Sequence, residues 1–427
     1  MAEDARQFGF HTRSVHAGQR PDPETGARAQ PIYATTSYVF EDPQEAADLF
    51  SLQTFGNIYS RISNPTTAAF EERMASLEGG IGALAVASGQ AAQLIAVLTL
   101  AQQGDEIVAS QSIYGGTYTQ FDVTLRRMGI NVTFVDIHDP EAIEKAITER
   151  TKGIYAETIG NPKADVLDFG SVSAIAHNHG LPLIVDNTFA SPYLCRPLEH
   201  GADIVVHSAT KFIGGHGAVM GGVIIEGGEF PWDNGNFPLL TEPSPAYHDL
   251  RFWENFREYA YLMKARTELL RDTGACQSPF NAFLLLIGLE TLPLRMQRHV
   301  ENAEATARFL KHHEGVSWVS FPVFKENPWT ETALRYLPNG PGAIFTFGVE
   351  GGYEAAVSFI ENVELASHLA NVGDAKTLVI HPASTTHQQV PVHERAGMGV
   401  TDDMIRISVG IEDIDDILWD LDQALRT

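Results

Sequence analysis

Cysteine is nearly absent, with only Cys195 and Cys276 in 427 residues. This excludes a disulfide framework, and the lack of any C-x-x-C pair excludes a cysteine metal knuckle. So sparse a usage fits a reducing compartment. Basic side chains are also scarce: 29 Lys and Arg stand against 54 Asp and Glu, for a formal net charge of −25. That field repels nucleic acid and anionic lipid, so neither is an expected partner. No window approaches 18 consecutive apolar residues, and Met1 to Arg13 mixes acids, bases and polar residues without an apolar stretch. The expectation is a cytoplasmic chain with no membrane partner. Internal repeats, heptads and low-complexity segments are missing too. His207, His216, His381 and His387 match no zinc spacing such as His-Glu-x-x-His, so no metal is expected.

What is present is apolar. A hydrophobic content of 44% in a chain of this length supports large cores and two or three domains. Residues 1–63 carry Pro21, Pro23 and Pro31 with weak periodicity, which predicts an extended arm lying on a neighbouring subunit. Residues 64–279 then alternate strand and helix. Strands are predicted at Ala83 to Ala87, Glu106 to Ala109, Val132 to Val135, Gly153 to Ala156, Leu181 to Val185 and Ala202 to Val206. Helices are predicted at Thr66 to Leu77, Ala91 to Ala101, Tyr118 to Met128 and Val172 to His179. Short apolar strands separated by helices predict an α/β fold, with a mostly parallel sheet covered on both faces. Residues 227–250, with five Gly or Pro positions between Gly227 and Pro245 breaking the rhythm, read as a long irregular insert serving function or assembly. Residues 280–427 are predicted to form a smaller α+β domain. Its helices run through Phe283 to Leu289, Leu294 to His312 and Tyr353 to Asn362, and its strands at Ala343 to Val349, Thr377 to Ile380 and Met404 to Val409. The acids Glu412 to Asp416 read as N-terminal charge on a final helix from Ile417.

Two residues give this scaffold a chemistry. Lys211 closes Ser208-Ala209-Thr210-Lys211 just beyond one predicted strand, and Asp186 ends another, 25 residues earlier. Ligands in open α/β sheets bind outside the carboxyl ends of the strands. A lysine and an acid meeting there describe a cradle for pyridoxal 5′-phosphate. That cofactor needs an amine to take up its aldehyde and a carboxylate to keep its ring nitrogen protonated as an electron sink.

Other residues extend the cradle. Ser88-Gly89-Gln90 follows a strand and opens a helix, so its N–H groups point at an anion such as the cofactor phosphate. Ser208 and Thr210 add hydroxyl donors. Tyr114 lies after the strand ending near Ala109, placed to stack on the ring and exchange protons. Tyr59 and Arg61, at the end of the arm, are placed to reach the phosphate of a neighbouring subunit, Arg61 with a fork matched to that group. In Met404 to Val409 the apolar residues alternate, leaving Arg406 and Ser408 on the other face of a strand. An arginine there needs an anion, and a substrate α-carboxylate or a structural salt bridge within the domain meets that need.

The combination resembles the Cys/Met-metabolism family of pyridoxal-phosphate enzymes, over nearly the whole chain from Thr12. The motifs that carry the resemblance are Tyr59-Ser60-Arg61 with Asn64-Pro65-Thr66, Ser88-Gly89-Gln90-Ala91-Ala92, Tyr114-Gly115-Gly116-Thr117 and Asp186-Asn187-Thr188. They continue with Ser208-Ala209-Thr210-Lys211-Phe212, His381-Pro382-Ala383-Ser384-Thr385-Thr386-His387 and Arg406-Ile407-Ser408-Val409-Gly410. The insert Phe237 to Pro243 with Tyr247-His248 resembles the family's sulfhydrylase branch. Gly116, where methionine γ-lyases resemble one another in having cysteine, departs from the lyases. Gln90 stands where many relatives have methionine, and Asp249 where sulfhydrylases often have glycine.

The resemblance implies the aspartate-aminotransferase type of fold, with a seven-stranded sheet in the large domain, and a tetramer built from dimers with shared active sites. It implies that Asn161 contacts the cofactor's phenolic oxygen and the substrate, and that Ser384 joins Arg406 on the substrate carboxylate. Lys211, Tyr114 and Asp186 are the implied catalytic residues. The implied reaction is γ-replacement on O-acetylhomoserine by sulfide or another thiol. Succinyl-ester sulfhydrylase and cystathionine-forming activities share these residues; a lyase or a catalytically silent binding protein stands further off.

Overall fold

In a computed structural model, the protein is described for residue 6, residues 8–386, residue 388 and residues 399–426. His387, one of the histidines weighed above, lies outside the described residues, as do residues 1–5 and 7 of the arm.

The larger sheet has seven strands: β1 (Gly82–Val86), β2 (Glu106–Ser110), β3 (Asn131–Val135), β4 (Thr151–Glu157), β5 (Leu183–Asp186), β6 (Ile204–Ser208) and β7 (Gly222–Glu226). Their order is β1-β7-β6-β5-β4-β2-β3. The ladders from β3 through β2, β4, β5 and β6 are parallel, and β7 runs antiparallel to both β6 and β1. Successive residues serve opposite faces, as a pleated strand requires. Leu183 and Val185 enter one core cluster while Ile184 between them enters the other. Burial on both sides explains why these strands are continuous Val/Ile runs. Helices Pro65–Glu78 and Gly89–Leu100 flank β1, each opened by a side-chain cap, Asn64 for the first and Ser88 for the second.

The smaller sheet is formed by β8 (Val316–Ser320), β9 (Ile344–Val349), β10 (Ser367–His368), β11 (Leu378–Ile380) and β12 (Met404–Ser408), in the order β10-β11-β12-β9-β8. Helices Leu292–Lys311, Gly352–Asn362 and Ile414–Leu425 accompany it. Ile405 and Ile407 of β12 join a single core with Phe212, Ile213 and Leu285, so the two sheets share buried contacts. On the other face of β12, Arg406 reaches Asn161, beyond the end of β4.

Most predicted elements are present, with ends shifted by a few residues. β5 begins at Leu183, after Pro182, which lacks the N–H a ladder uses, although the Pro182 carbonyl still accepts from Ile154 N at 3.0 Å. β7, β8 and the two-residue β10 are not among the predicted strands. The predicted helix Tyr118 to Met128 begins instead at Gly115 and passes into a wider turn over Gln120–Leu125. The insert is irregular apart from short helical turns at Pro238–Thr241 and Pro245–Tyr247, and it is well packed: Phe230, Trp232, Phe237 and Leu240 are buried, and Trp232 stacks on Tyr261 with centroids 5.2 Å apart. No helix among the described residues is long and apolar enough to cross a membrane.

Candidate active site

The carboxyl ends of β4, β5 and β6 open into a cavity of about 320 Å³. Asp186 closes β5 and Lys211 follows β6 by three residues, and both line it. Ser88, Gly89, Gln90, Tyr114, Asn161, Ser208, Thr210 and Arg406 line it too.

Asp186 accepts the backbone N–H of Thr188 at 2.9 Å and the Thr188 hydroxyl, and the Tyr155 hydroxyl stands 3.4 Å away. Burial raises its pKa, while the Thr188 bonds and nearby His207 pull the other way. A carboxyl so desolvated gains most from a cationic partner in the cavity. Burial likewise lowers the pKa of Lys211, with help from Arg406, to about 8. Its amine is therefore readily neutral, as a nucleophile toward an aldehyde must be.

The opposite end of the cavity is shaped for an anion. Ser88 caps helix Gly89–Leu100 by accepting from Ala91 N at 3.2 Å. A Cβ on Gly89 would stand 2.6 Å from Ser208 Cβ, and one on Gly222 would stand 2.0 Å from the Ser88 carbonyl. Glycine at both positions lets the helix start and the Lys211 turn close on one small space. Thr188 Oγ1 accepts from Ser208 N at 2.8 Å, and Thr210 is tied to Gly221 in both directions at 3.3 and 3.1 Å. Tyr114 is about half exposed at the cavity mouth, its backbone N–H held by Glu157 Oε1 at 2.7 Å. Burial, then the nearby Asp186, raises the Glu157 pKa well above the ordinary carboxylate range.

From the smaller sheet, Arg406 Nη1 donates to Asn161 Oδ1 at 3.1 Å. Burial lowers its pKa to about 10. No carboxylate among the described residues lies within ion-pair distance of it.

Three anticipated residues lie outside the cavity. Arg61 packs over the Tyr59 ring at 5.3 Å on the half-exposed arm. Ser384, in the turn Pro382–Ser384, is engaged with His381 Nδ1 at 2.9 Å. Reasoning from sequence did not single out Glu157, Tyr155 or Asn371. Glu157 left a readable signal, an acid closing an apolar strand beside the Asp186 strand. Asn371 left none, sitting in a loop without pattern.

Residues 11–426 match the model of the family described as Cys/Met metabolism PLP-dependent enzyme. The chain belongs to that family. Its cofactor is pyridoxal phosphate, and the half-buried amine, the acid lining the same cavity and the glycine-lined anion pocket fit that group. The chain is similar to the O-acetyl-L-homoserine sulfhydrylase of Leptospira meyeri, 53% identical over 99% of this chain and 97% of that one. It is 52% identical to the homocysteine synthase of Schizosaccharomyces pombe, over 97% and 98% of the two chains. A crystal structure from Campylobacter jejuni, designated an O-acetylhomoserine (thiol)-lyase and carrying N′-pyridoxyl-lysine-5′-monophosphate, superposes with a TM-score of 0.95. It is 38% identical and covers 98% of this chain and 100% of that one.

Proposed function

We propose that this enzyme performs γ-replacement on O-acetyl-L-homoserine with sulfide, giving L-homocysteine and acetate, and that methanethiol serves as a second thiol to give methionine. The relatives' named activities support this reading, and one feature of the cavity carries it: Arg406 is half-buried, with a carboxamide neighbour and, among the described residues, no acid within ion-pair distance. A guanidinium drawn partly out of water needs an anion, and an amino-acid carboxylate supplies one with two parallel N–H···O bonds.

When bound, the cofactor supplies an electron sink conjugated to the substrate α-carbon. Asp186, oriented by Thr188, would accept a hydrogen bond from the cofactor's ring N–H and so keep that nitrogen protonated. Arg406 and Asn161 orient the substrate carboxylate. Lys211 Nζ takes the proton from Cα and, with the Tyr114 hydroxyl, serves the Cβ proton whose removal lets acetate leave Cγ. Sulfide then forms the C–S bond at Cγ, and the same groups return the protons.

Among the described residues, the only cationic side chains lining the cavity are Lys211 and Arg406. Arg61 and Tyr59 of a neighbouring subunit would complete its anion end, the arm of residues 1–63 lying across the partner in a tetramer of shared sites. Val39, Phe50 and Phe55 of this arm are exposed apolar residues that such a partner would cover. The cytoplasm is the proposed compartment. Rates with acetyl and succinyl esters, each with sulfide, methanethiol or cysteine and with products read by mass spectrometry, test the assignment. Homocysteine from the acetyl ester is expected; cystathionine as the main product, or 2-oxobutanoate formed without added thiol, would overturn it.

A further inference from the structure

We propose that Asn371 is a positioning residue that holds the amine of Lys211 whenever that amine is not covalently engaged. This deepens the function proposed above and rests on it for the role of Lys211 as the base. Lys211 Nζ donates to Asn371 Oδ1, its one acceptor among the described residues, from a residue 160 positions away in the chain. The contact is built from both sides. Gly373 has φ of 72°, and a Cβ there would meet Phe212 N at 2.7 Å and Lys211 C at 3.1 Å, so the loop lies against the backbone of the Lys211 turn. The Gly373 N–H donates to Ser408 Oγ at 2.9 Å, two residues beyond Arg406 on β12. Ala375 N donates to the Gly215 carbonyl at 2.9 Å. The loop is thus located by the turn that carries the base and by the strand that carries the carboxylate-binding arginine.

A neutral acceptor suits this place. Lys211 shares the cavity with Arg406 from β12, Asp186 from β5, Glu157 from β4 and Tyr114 from the turn after β2. The nearest acid on the Asn371 loop, Asp374, lies 3.8 Å from Lys376 Nζ. A carboxylate at position 371 would fix the amine as ammonium. A carboxamide takes one N–H and leaves the nitrogen lone pair for a proton from carbon.

The test measures Lys211 itself. Full-length protein stripped of cofactor with hydroxylamine is pulse-acetylated across a pH series, and peptide mass spectrometry gives the midpoint of Lys211 reactivity in wild type, Asn371→Asp and Asn371→Ala. The Asp variant should raise the midpoint by about one pH unit or more, because an adjacent opposite charge favours the ammonium. In the holoenzyme with O-acetylhomoserine and sulfide, the acid limb of kcat should move up with it. The Ala variant should lower kcat about tenfold to a hundredfold while KM changes less than about threefold, as expected of a misplaced base. Thermal melts certify folding, and the Ala variant decides the matter if the Asp variant does not fold. A folded Asp variant with an unmoved midpoint, or an Ala variant with wild-type kcat, overturns the proposal. A moved midpoint in a protein inert toward O-acetylhomoserine would uphold the Lys211–Asn371 hold and sink the substrate assignment instead.

Discussion

Glu157 and Asp186 stand side by side at the carboxyl ends of paired parallel strands, and Glu157 holds the backbone of Tyr114 at 2.7 Å. Two acids that close together in a buried site do not both ionise easily. Asp186 has the Thr188 donors and His207 in its favour, whereas Glu157 has one N–H donor and is pushed up by both burial and Asp186. The pair is therefore uneven: Glu157, which fixes the aromatic at the cavity mouth, is pushed further toward its protonated form than Asp186.

That unevenness sets the outcome of replacing Glu157. Gln keeps a neutral acceptor for the Tyr114 N–H and should retain kcat within about threefold. Ala frees the turn and should cost about tenfold or more, as small misplacements of reacting groups do. Steady-state kinetics of both variants check this, and equal losses would show that the ionised carboxylate is needed.

Gly116 leaves its side-chain space to others. A Cβ there would stand 2.4 Å from both Tyr114 Cε1 and Gln90 Nε2. Gly116→Ala should displace the Tyr114 ring, lowering kcat/KM about tenfold or more with a shift in the cofactor absorbance band. An unchanged spectrum with unchanged kcat/KM would count against stacking by Tyr114.

Arg406→Lys keeps the charge and loses the fork. The expected result is a kcat/KM for O-acetylhomoserine lower by about a hundredfold, mostly through KM, with cofactor binding intact by absorbance. A loss confined to kcat would point away from the carboxylate.

Glu226, at the end of β7, is far from this chemistry and tests the electrostatics of the core. Burial raises its pKa to about 8, although Trp232 Nε1 donates to it at 2.8 Å and Leu262 N at 3.2 Å. A raised folded-state pKa means that the folded chain holds a proton the unfolded chain has released. Its stabilising contribution is full below about pH 4.5 and is lost as pH rises through about 8, by at most about 1.4 kcal/mol per pH unit. Melting temperatures of wild type and Glu226→Gln between pH 5 and 9 should converge at the acid end and diverge toward the alkaline end. Parallel curves would contradict a protonated Glu226.

Much of this was legible beforehand because strands buried on both faces are unbroken Val/Ile runs, and their ends carry the chemistry. Asp186 and Lys211 were visible as polar residues punctuating such runs. β7 was not, since Gly222-Val-Ile-Ile-Glu226 follows a glycine-rich turn and breaks the parallel rhythm by pairing antiparallel on both sides. Asn371 acquires meaning only when Gly373 lets its loop close on the Lys211 turn, a tertiary event without local pattern. Ser384 was expected at the carboxylate from resemblance, and its hydroxyl is engaged with His381 in the structure.

The central claim is that the Lys211 amine carries the cofactor. Borohydride reduction of the purified holoenzyme, followed by peptide mass mapping, should place a pyridoxyl group on the peptide containing Lys211, and Lys211→Ala should lose the adduct, the chromophore and turnover together. An adduct on another lysine, or turnover retained by Lys211→Ala, would contradict the account.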